Sequence, residues 1–429
     1  MNKLLSSTLL ILLIGGFVFV STLNFGTAQT YTDVTGVLRS DTTWERTNSP
    51  YRLTGPVAVN DGITLTIEHG VQIHFNTNTY MQVNGTLVAK GSDEDPISFI
   101  SDGEIRFMPS SQSWDEQTGT GSIIENGNIP SNEFKIVING ASPKIAASYS
   151  QAIITVNGGS PVFSNNRISS YVGFTISDGL PLIINNKIRC RVIVKDGSPL
   201  IFNNTITPDS YIGVEVTGGN PYISNNDIND FHIGISAAYG IIERNYIHGG
   251  PVGIEIGTGV IRNNSISCAT SISVQASSKP TISYNNFEFG NVSGITNIFL
   301  AEGANRDVDA PHNWWRTTDE TIINQSIFDS KNDFTLGTVN FVPFLTEANP
   351  QAMPDPNAPI PTSTQIPSTS PSPTATPTIT PSPTVSPAST PTPTESRQQT
   401  EFTATIGVAI IVAVLSAGLG LLIYLIKRK

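Results

Sequence analysis

The sequence predicts an all-β solenoid, a parallel helix of short strands with coils of about 20 residues, and three observations carry that prediction. Written in blocks of twenty, the middle of the chain reads YVGFTISDGLPLIINNKIRC from Tyr171, YIGVEVTGGNPYISNNDIND from Tyr211 and PVGIEIGTGVIRNNSISCAT from Pro251. Each block holds an apolar strand with period-two alternation, a Gly turn, and a second apolar strand ending in Asn. An Asn recurs at Asn166, Asn186, Asn204, Asn226, Asn245, Asn264 and Asn286, so six steps cover 120 residues. Helical solenoids need longer units with a 3.6 period. The third observation is composition: 13% charged and 38% hydrophobic residues, with 36 Gly and 29 Pro among 429 residues, against about 25% and 45 to 50% in an average soluble protein. Small polar residues, Gly and Pro fill both deficits, as many short strands and tight turns require.

Residues 1–28 read as a secretory signal, with Lys3, an apolar stretch from Leu9 to Val20, and the small Gly26 and Ala28 before a cut at Gln29. An uncleaved N-terminal anchor is the alternative. Residues 29–110 form the N-terminal cap and first coils, 111–315 the regular repeats, and 316–348 a C-terminal capping segment, giving about 13 coils. From 349 to 400 the chain reads as a stalk, because 29 of the 36 residues from Pro361 to Ser396 are Ser, Thr or Pro. Such a tract has no apolar periodicity to offset chain entropy and favours extended polyproline geometry. It reads as an O-glycosylated spacer or a bare linker. Residues 406–426 carry no charge, and 21 residues at ~1.5 Å rise cross a bilayer core. The basic tail 427–429 keeps that end cytoplasmic, which puts the body outside the cell as a single-pass plasma-membrane protein.

Within the coils, alternation sends Val214 and Val216 inward and Tyr211 and Glu215 outward. The recurring Asn falls inside at a corner, where identical amides ~4.8 Å apart can bond along the stack. Cys190 and Cys268 each follow a ladder Asn by four residues. Four coils separate them by ~19 Å, beyond bridging reach, so the sequence predicts two free buried thiols and no disulfide.

These repeats resemble those of right-handed parallel β-helix proteins related in fold to pectate lyases, including the NosD-like and carbohydrate-associated surface branch. SPYRLTGPVAVNDGITLTIEHGVQIHF resembles the family's opening turn, with His69 where Pro is usual. HNWWRTTDETIINQSIFDSKNDFTLGTVNFVPFL resembles the closing segment of prokaryotic surface β-helices, with Arg316 in the usual Gly position. The likeness covers Tyr31 to about Leu345 and implies a right-handed single-stranded helix, in an organisation typical of prokaryotic and especially archaeal envelopes.

Enzymes of this fold place acids on the outward face of one sheet. The comparable column here is Thr175, Ile193, Glu215, Ser236, Glu255 and Ser273. Glu215 and Glu255, two coils and ~9.6 Å apart, are weak catalytic candidates at the upper end of an inverting glycosidase's carboxylate separation. Tyr171, Tyr211 and Phe231 form an aromatic column and are glycan-binding candidates. The calcium-ligating Asp cluster of pectate lyases and the paired Asp residues of polygalacturonases are missing. Of the histidines at 69, 74, 232, 248 and 312, only His69 and His74 lie at ligand spacing, and alternation puts them on opposite faces, so no metal and no cofactor is expected. Glycosylation sequons fall at Asn84, Asn203, Asn263, Asn291 and Asn324.

The net charge of −11 argues against nucleic acid as a partner. Without the four basic residues of the two ends, 19 basic residues face 34 acidic ones. The function expected is glycan binding, adhesion or cell-envelope structure, with polysaccharide or surface-layer components as partners. The alternative is a surface-tethered polysaccharide hydrolase or lyase using an outward carboxylate groove.

Overall fold

The computed structural model describes residues 29–288 and 294–361. The segments read from the sequence as signal, membrane span and basic tail, most of the segment read as stalk, and Asn291 lie outside them. No helix of the described residues is long and apolar enough to cross a membrane.

Described strands stack into one 25-stranded and one 14-stranded sheet, forming a parallel solenoid of about 12 turns. A typical coil has three strands, such as Phe174–Asp178, Leu182–Ile184 and Lys187–Ile188. Each pairs in parallel with its counterpart one coil on: Thr175 with Ile193, Ile183 with Ile201, Lys187 with Thr205. The first and third strand families belong to the larger sheet and the second to the smaller.

Apolar rungs fill the interior. Phe163, Ile183, Ile201, Ile223, Ile242 and Ile261 are all fully buried and successive in register. Each such side chain contributes roughly 1.5–3 kcal/mol relative to exposure. β-Branched residues dominate because they fit a pleated surface packed on one side.

One corner of each coil is set by a left-handed residue followed by a buried Asn. Asn165, Asn185, Asn203, Asn225 and Asn263 have φ between 54° and 61°, which Asn tolerates better than other side chains. The next residue points inward. Its amide oxygen accepts two hydrogen bonds from the Asn one coil earlier: Asn186 Oδ1 takes the Asn166 backbone N–H at 2.9 Å and its side-chain N–H at 3.0 Å. The same geometry runs through Asn204, Asn226, Asn245 and Asn264.

Two positions correct the sequence expectation. The next rung is Asn285, not Asn286, and Asn313 closes the ladder. In that coil Tyr284, with φ 59°, takes the left-handed place, so the inward position comes one residue earlier than the Asn-Asn pair suggests. Asn286 instead exchanges hydrogen bonds with Asn349. That contact brings the second correction: the segment expected to be stalk from 349 is packed against the solenoid as far as Pro361.

At the N-terminal end, Thr32–Leu38 pairs with Tyr51–Val59, and the Trp44 ring stacks on Tyr51 at 5.0 Å. At the other end, the buried Trp315 lies between Phe287 and Phe341. A short helix, Glu320–Gln325, begins on Asp319, whose carboxylate accepts the Thr321 N–H at 2.8 Å. Arg316 has φ 59°, so it adopts the left-handed turn that the usual Gly makes easily.

Cys190 and Cys268 are free and buried, and burial pushes both thiols up to about 12. At pH 8 neither forms appreciable thiolate, the reactive species. The expected result is no labelling by iodoacetamide in the folded protein and two labels per chain after denaturation, read by intact mass.

Candidate functional site

The outward column has the register its alternation predicts: Thr175, Ile193, Glu215, Ser236, Glu255 and Ser273 are successive partners. Each glutamate reaches back one coil. Glu215 pairs with Arg191 at 3.0 Å, and Glu255 accepts the Ser236 hydroxyl at 3.3 Å. The two carboxylates are therefore engaged with different partners, and the rung between them offers only a serine. Inverting chemistry needs an acid and a base facing a water between them, whereas here Glu215 is held by Arg191 and Glu255 accepts from Ser236.

The aromatic column is changed in one member. Tyr171 is 87% exposed and Tyr211 59%, but Phe231 is only 7% exposed and belongs to the core. His232 takes its place outside, stacked on Tyr211 with ring centroids 4.0 Å apart. The turn before Ile233–Ala237 is the reason: Asp230 takes a left-handed φ of 56°, so alternation does not carry through from the preceding strand and Phe231 turns inward.

All these residues lie at one corner, in the turns joining the third strand of one coil to the first strand of the next. Tyr171 lies between Arg167–Ile168 and Phe174–Asp178, Arg189 and Arg191 between Lys187–Ile188 and Val192–Val194, and Tyr211 just before Ile212–Val216. The two arginines are thus one coil between the two tyrosines, and about half exposed. Tyr171, Arg189, Arg191, Asp209 and Gln151 line a hollow of about 130 Å³ there.

Earlier coils open the same corner further. The turns 76–79, 101–103 and 130–134 enclose a cleft of about 1020 Å³ lined by Asn76, Tyr80, Asp102, Glu104, Glu133 and Lys135 among others. Arg106 lies 3.9 Å over the Tyr80 ring and pairs with Glu104 at 2.8 Å. Ser131 donates to Asp102 at 2.7 Å, and Lys135 is the register partner of Glu104. The cleft therefore mixes both charge signs with one aromatic ring already covered. Among the described residues no three His, Cys, Asp or Glu side chains are grouped to hold a metal ion.

Sequence reasoning found Tyr171 and Tyr211 but missed Arg189, Arg191, His232 and the cleft. Their signal was present in the turns: Arg189 and Arg191 sit on either side of the inward Cys190, where alternation sends both outward. The sequons are distributed without regard to this corner. Asn203 donates to Asn185 at 2.8 Å and Asn263 to Glu243 at 3.4 Å, Asn84 accepts from Gln82, and Asn324 is exposed on the short helix.

Residues 36–148 match the family described as a pectate-lyase like beta helix domain, and residues 177–305 match the family described as a right handed beta helix region. No curated protein and no solved structure matches the chain. The two matches fall on stretches whose strands stack coil upon coil in parallel, and the chain accordingly carries right-handed, pectate-lyase-like β-helix domains.

Proposed function

We propose that the protein is a surface-anchored, non-catalytic β-helix that binds glycans along the corner carrying Tyr171, Arg189, Arg191 and Tyr211. The observation that carries this is the exposure of both tyrosines, 87% and 59%, with two arginines in the coil between them. Rings two rungs apart are separated by ~9.6 Å along the axis, a spacing a short run of sugar units can bridge, each ring offering an apolar face. The guanidinium groups between them are paired with Glu215 at 3.0 Å and Asp209 at 3.7 Å, and their remaining N–H groups can donate to carboxylate or sulfate substituents. An axial corner suits an extended polymer better than a compact metabolite, and a pectate-lyase-like β-helix is compatible with carbohydrate-related function. Anchoring rests on the uncharged run 406–426 followed by three basic residues.

The test is binding of the full chain to an acidic polysaccharide panel. Tyr211→Ala is expected to weaken binding about tenfold, ~1.4 kcal/mol. Unchanged affinity in that variant overturns the assignment of the corner. Release of reducing ends or unsaturated products, abolished by Glu215→Gln, instead identifies a surface-tethered hydrolase or lyase.

A further inference from the structure

The outward face of the third strands carries two stacked cations beside the tyrosine corner. Along one column, Ser98, Asn128, Tyr149, Arg167, Lys187 and Thr205 are successive register partners. Arg167 and Lys187 therefore stand on neighbouring coils, ~4.8 Å apart along the axis, and both are exposed. Like charges on neighbouring strands repel. Two residues after Lys187, on the same outward side, Arg189 adds a third cation, ~7 Å away along the strand.

Among the described residues neither Arg167 nor Lys187 has a carboxylate within ion-pairing distance, whereas Arg189 pairs with Asp209 at 3.7 Å and Arg191 with Glu215 at 3.0 Å. The column holds no acid from Ser98 to Thr205. The first is Asp227, two coils past Lys187 and already bonded to His248 at 2.9 Å. Ser169, Thr205 and Thr207 add half-buried hydroxyls on the same face but no charge. In a body where 19 basic residues face 34 acidic ones, two exposed cations stacked without a counter-charge create a local positive potential that an anion from outside can relieve.

We infer that Arg167 and Lys187, with Arg189 beside them, bind a tetrahedral oxyanion, a sulfate or phosphate ester on the polymer whose rings lie on Tyr171 and Tyr211. The inference rests on that reading of the corner and adds a second point of contact to it. A uronate carboxylate is attached directly to a ring carbon and stays at the corner, near Arg189 and Arg191. An ester on a sugar hydroxyl carries its charge further from the ring, onto the face where Lys187 stands two residues before Arg189. The planar fork of Arg167 and the point charge of Lys187 approach from adjacent coils. An anion with oxygens pointing in several directions can accept from both at once, which a planar carboxylate does less well.

The experiment measures binding of the full chain to dextran, dextran sulfate and phosphorylated dextran at physiological salt. The unaltered chain is expected to bind a charged polymer about tenfold or more tightly than dextran. The Arg167→Gln, Lys187→Gln double variant is expected to lose that gain while its affinity for dextran stays the same. Thr205→Glu, which sets a carboxylate next to Lys187 without removing either cation, is expected to weaken binding of the charged polymer likewise. A gain for one charged polymer alone identifies the ester as sulfate or as phosphate. A gain that persists in the double variant, or no gain in the unaltered chain, overturns the inference. So does an equal loss in the charge-matched control Arg39→Gln with Arg306→Gln, because net charge alone would then account for it. Tyr211→Ala reports on the corner separately: unchanged dextran affinity in that variant defeats the tyrosine reading and leaves the oxyanion site to stand or fall by the double variant.

Discussion

Asn226→Ala is expected to destabilise the middle coils by about 2–4 kcal/mol. The Asn226 side chain accepts from the Asn204 backbone and amide at 2.9 and 3.0 Å. It donates to Asn245 Oδ1, the Ile201 carbonyl and the Ser224 carbonyl, each at 2.9 Å. Truncation leaves the Asn204 backbone N–H without its acceptor in a place sealed from water. Asn204 Nδ2 keeps Ile183 and Phe202, Asn245 Oδ1 keeps the Asn226 backbone N–H, and the Ser224 carbonyl keeps the Asn203 N–H. An unmet buried group costs about 1–3 kcal/mol, and the lost bonds and the cavity add to it. Asn203→Ala removes an amide of the outer row, where water can replace the partner, and is expected to cost under about 1 kcal/mol. Hydrogen exchange resolved along the chain is the suitable measurement, because stacked coils need not unfold in one step. Similar protection losses for the two variants would contradict the ladder's role.

Gly197→Ala is expected to cost about 2–5 kcal/mol and to open the coils on either side of it. Gly197 has φ 83°, a region where an L side chain costs about 1–2 kcal/mol. A Cβ there would also lie 2.4 Å from the Gly179 carbonyl oxygen of the preceding coil. Gly179 and Gly219 repeat the arrangement, with the same positive φ and the same close approach. A methyl group at this turn must push two coils apart where the strand spacing fixes them ~4.8 Å apart. The expected readout is loss of exchange protection in residues 179–219 with the terminal caps unaffected. Native protection in Gly197→Ala would show that the turn can shift without disturbing the stack.

Much of the fold was legible because a solenoid repeats its evidence. The alternation around Glu215 gave the outward column from Thr175 to Ser273 in correct register, since parallel in-register stacking lets each coil check its neighbour. The ladder was legible up to Asn264. It slipped at Asn286 because corner geometry, not the Asn-Asn pair, decides which residue turns inward, and Tyr284 took the left-handed place there. Phe231 failed for a related reason: alternation holds within a strand but does not survive the turn at Asp230. The return of residues 349–361 was invisible because a composition rich in Pro, Asn and Ala does not distinguish a chain extended in water from one extended along a sheet. The large cleft was missed because it arises from three turns of unequal length on successive coils, which no single repeat encodes.

The same logic locates the charges. Arg189 and Arg191 occupy a corner where Asp209 and Glu215 pair with them, so any attraction they offer an anionic polymer is short-ranged, within about a Debye length of ~8 Å at physiological salt. The most direct measurement is therefore the affinity of the full chain and of its Arg189→Gln, Arg191→Gln double variant for matched neutral and uronate-bearing polysaccharides, at low and at physiological salt. The account predicts tighter binding of the uronate polymer by the unaltered chain, a preference that shrinks with salt and is lost in the double variant while tyrosine-dependent binding of the neutral polymer remains. Equal affinity for both polymers, or a preference that survives removal of the two arginines, would contradict it.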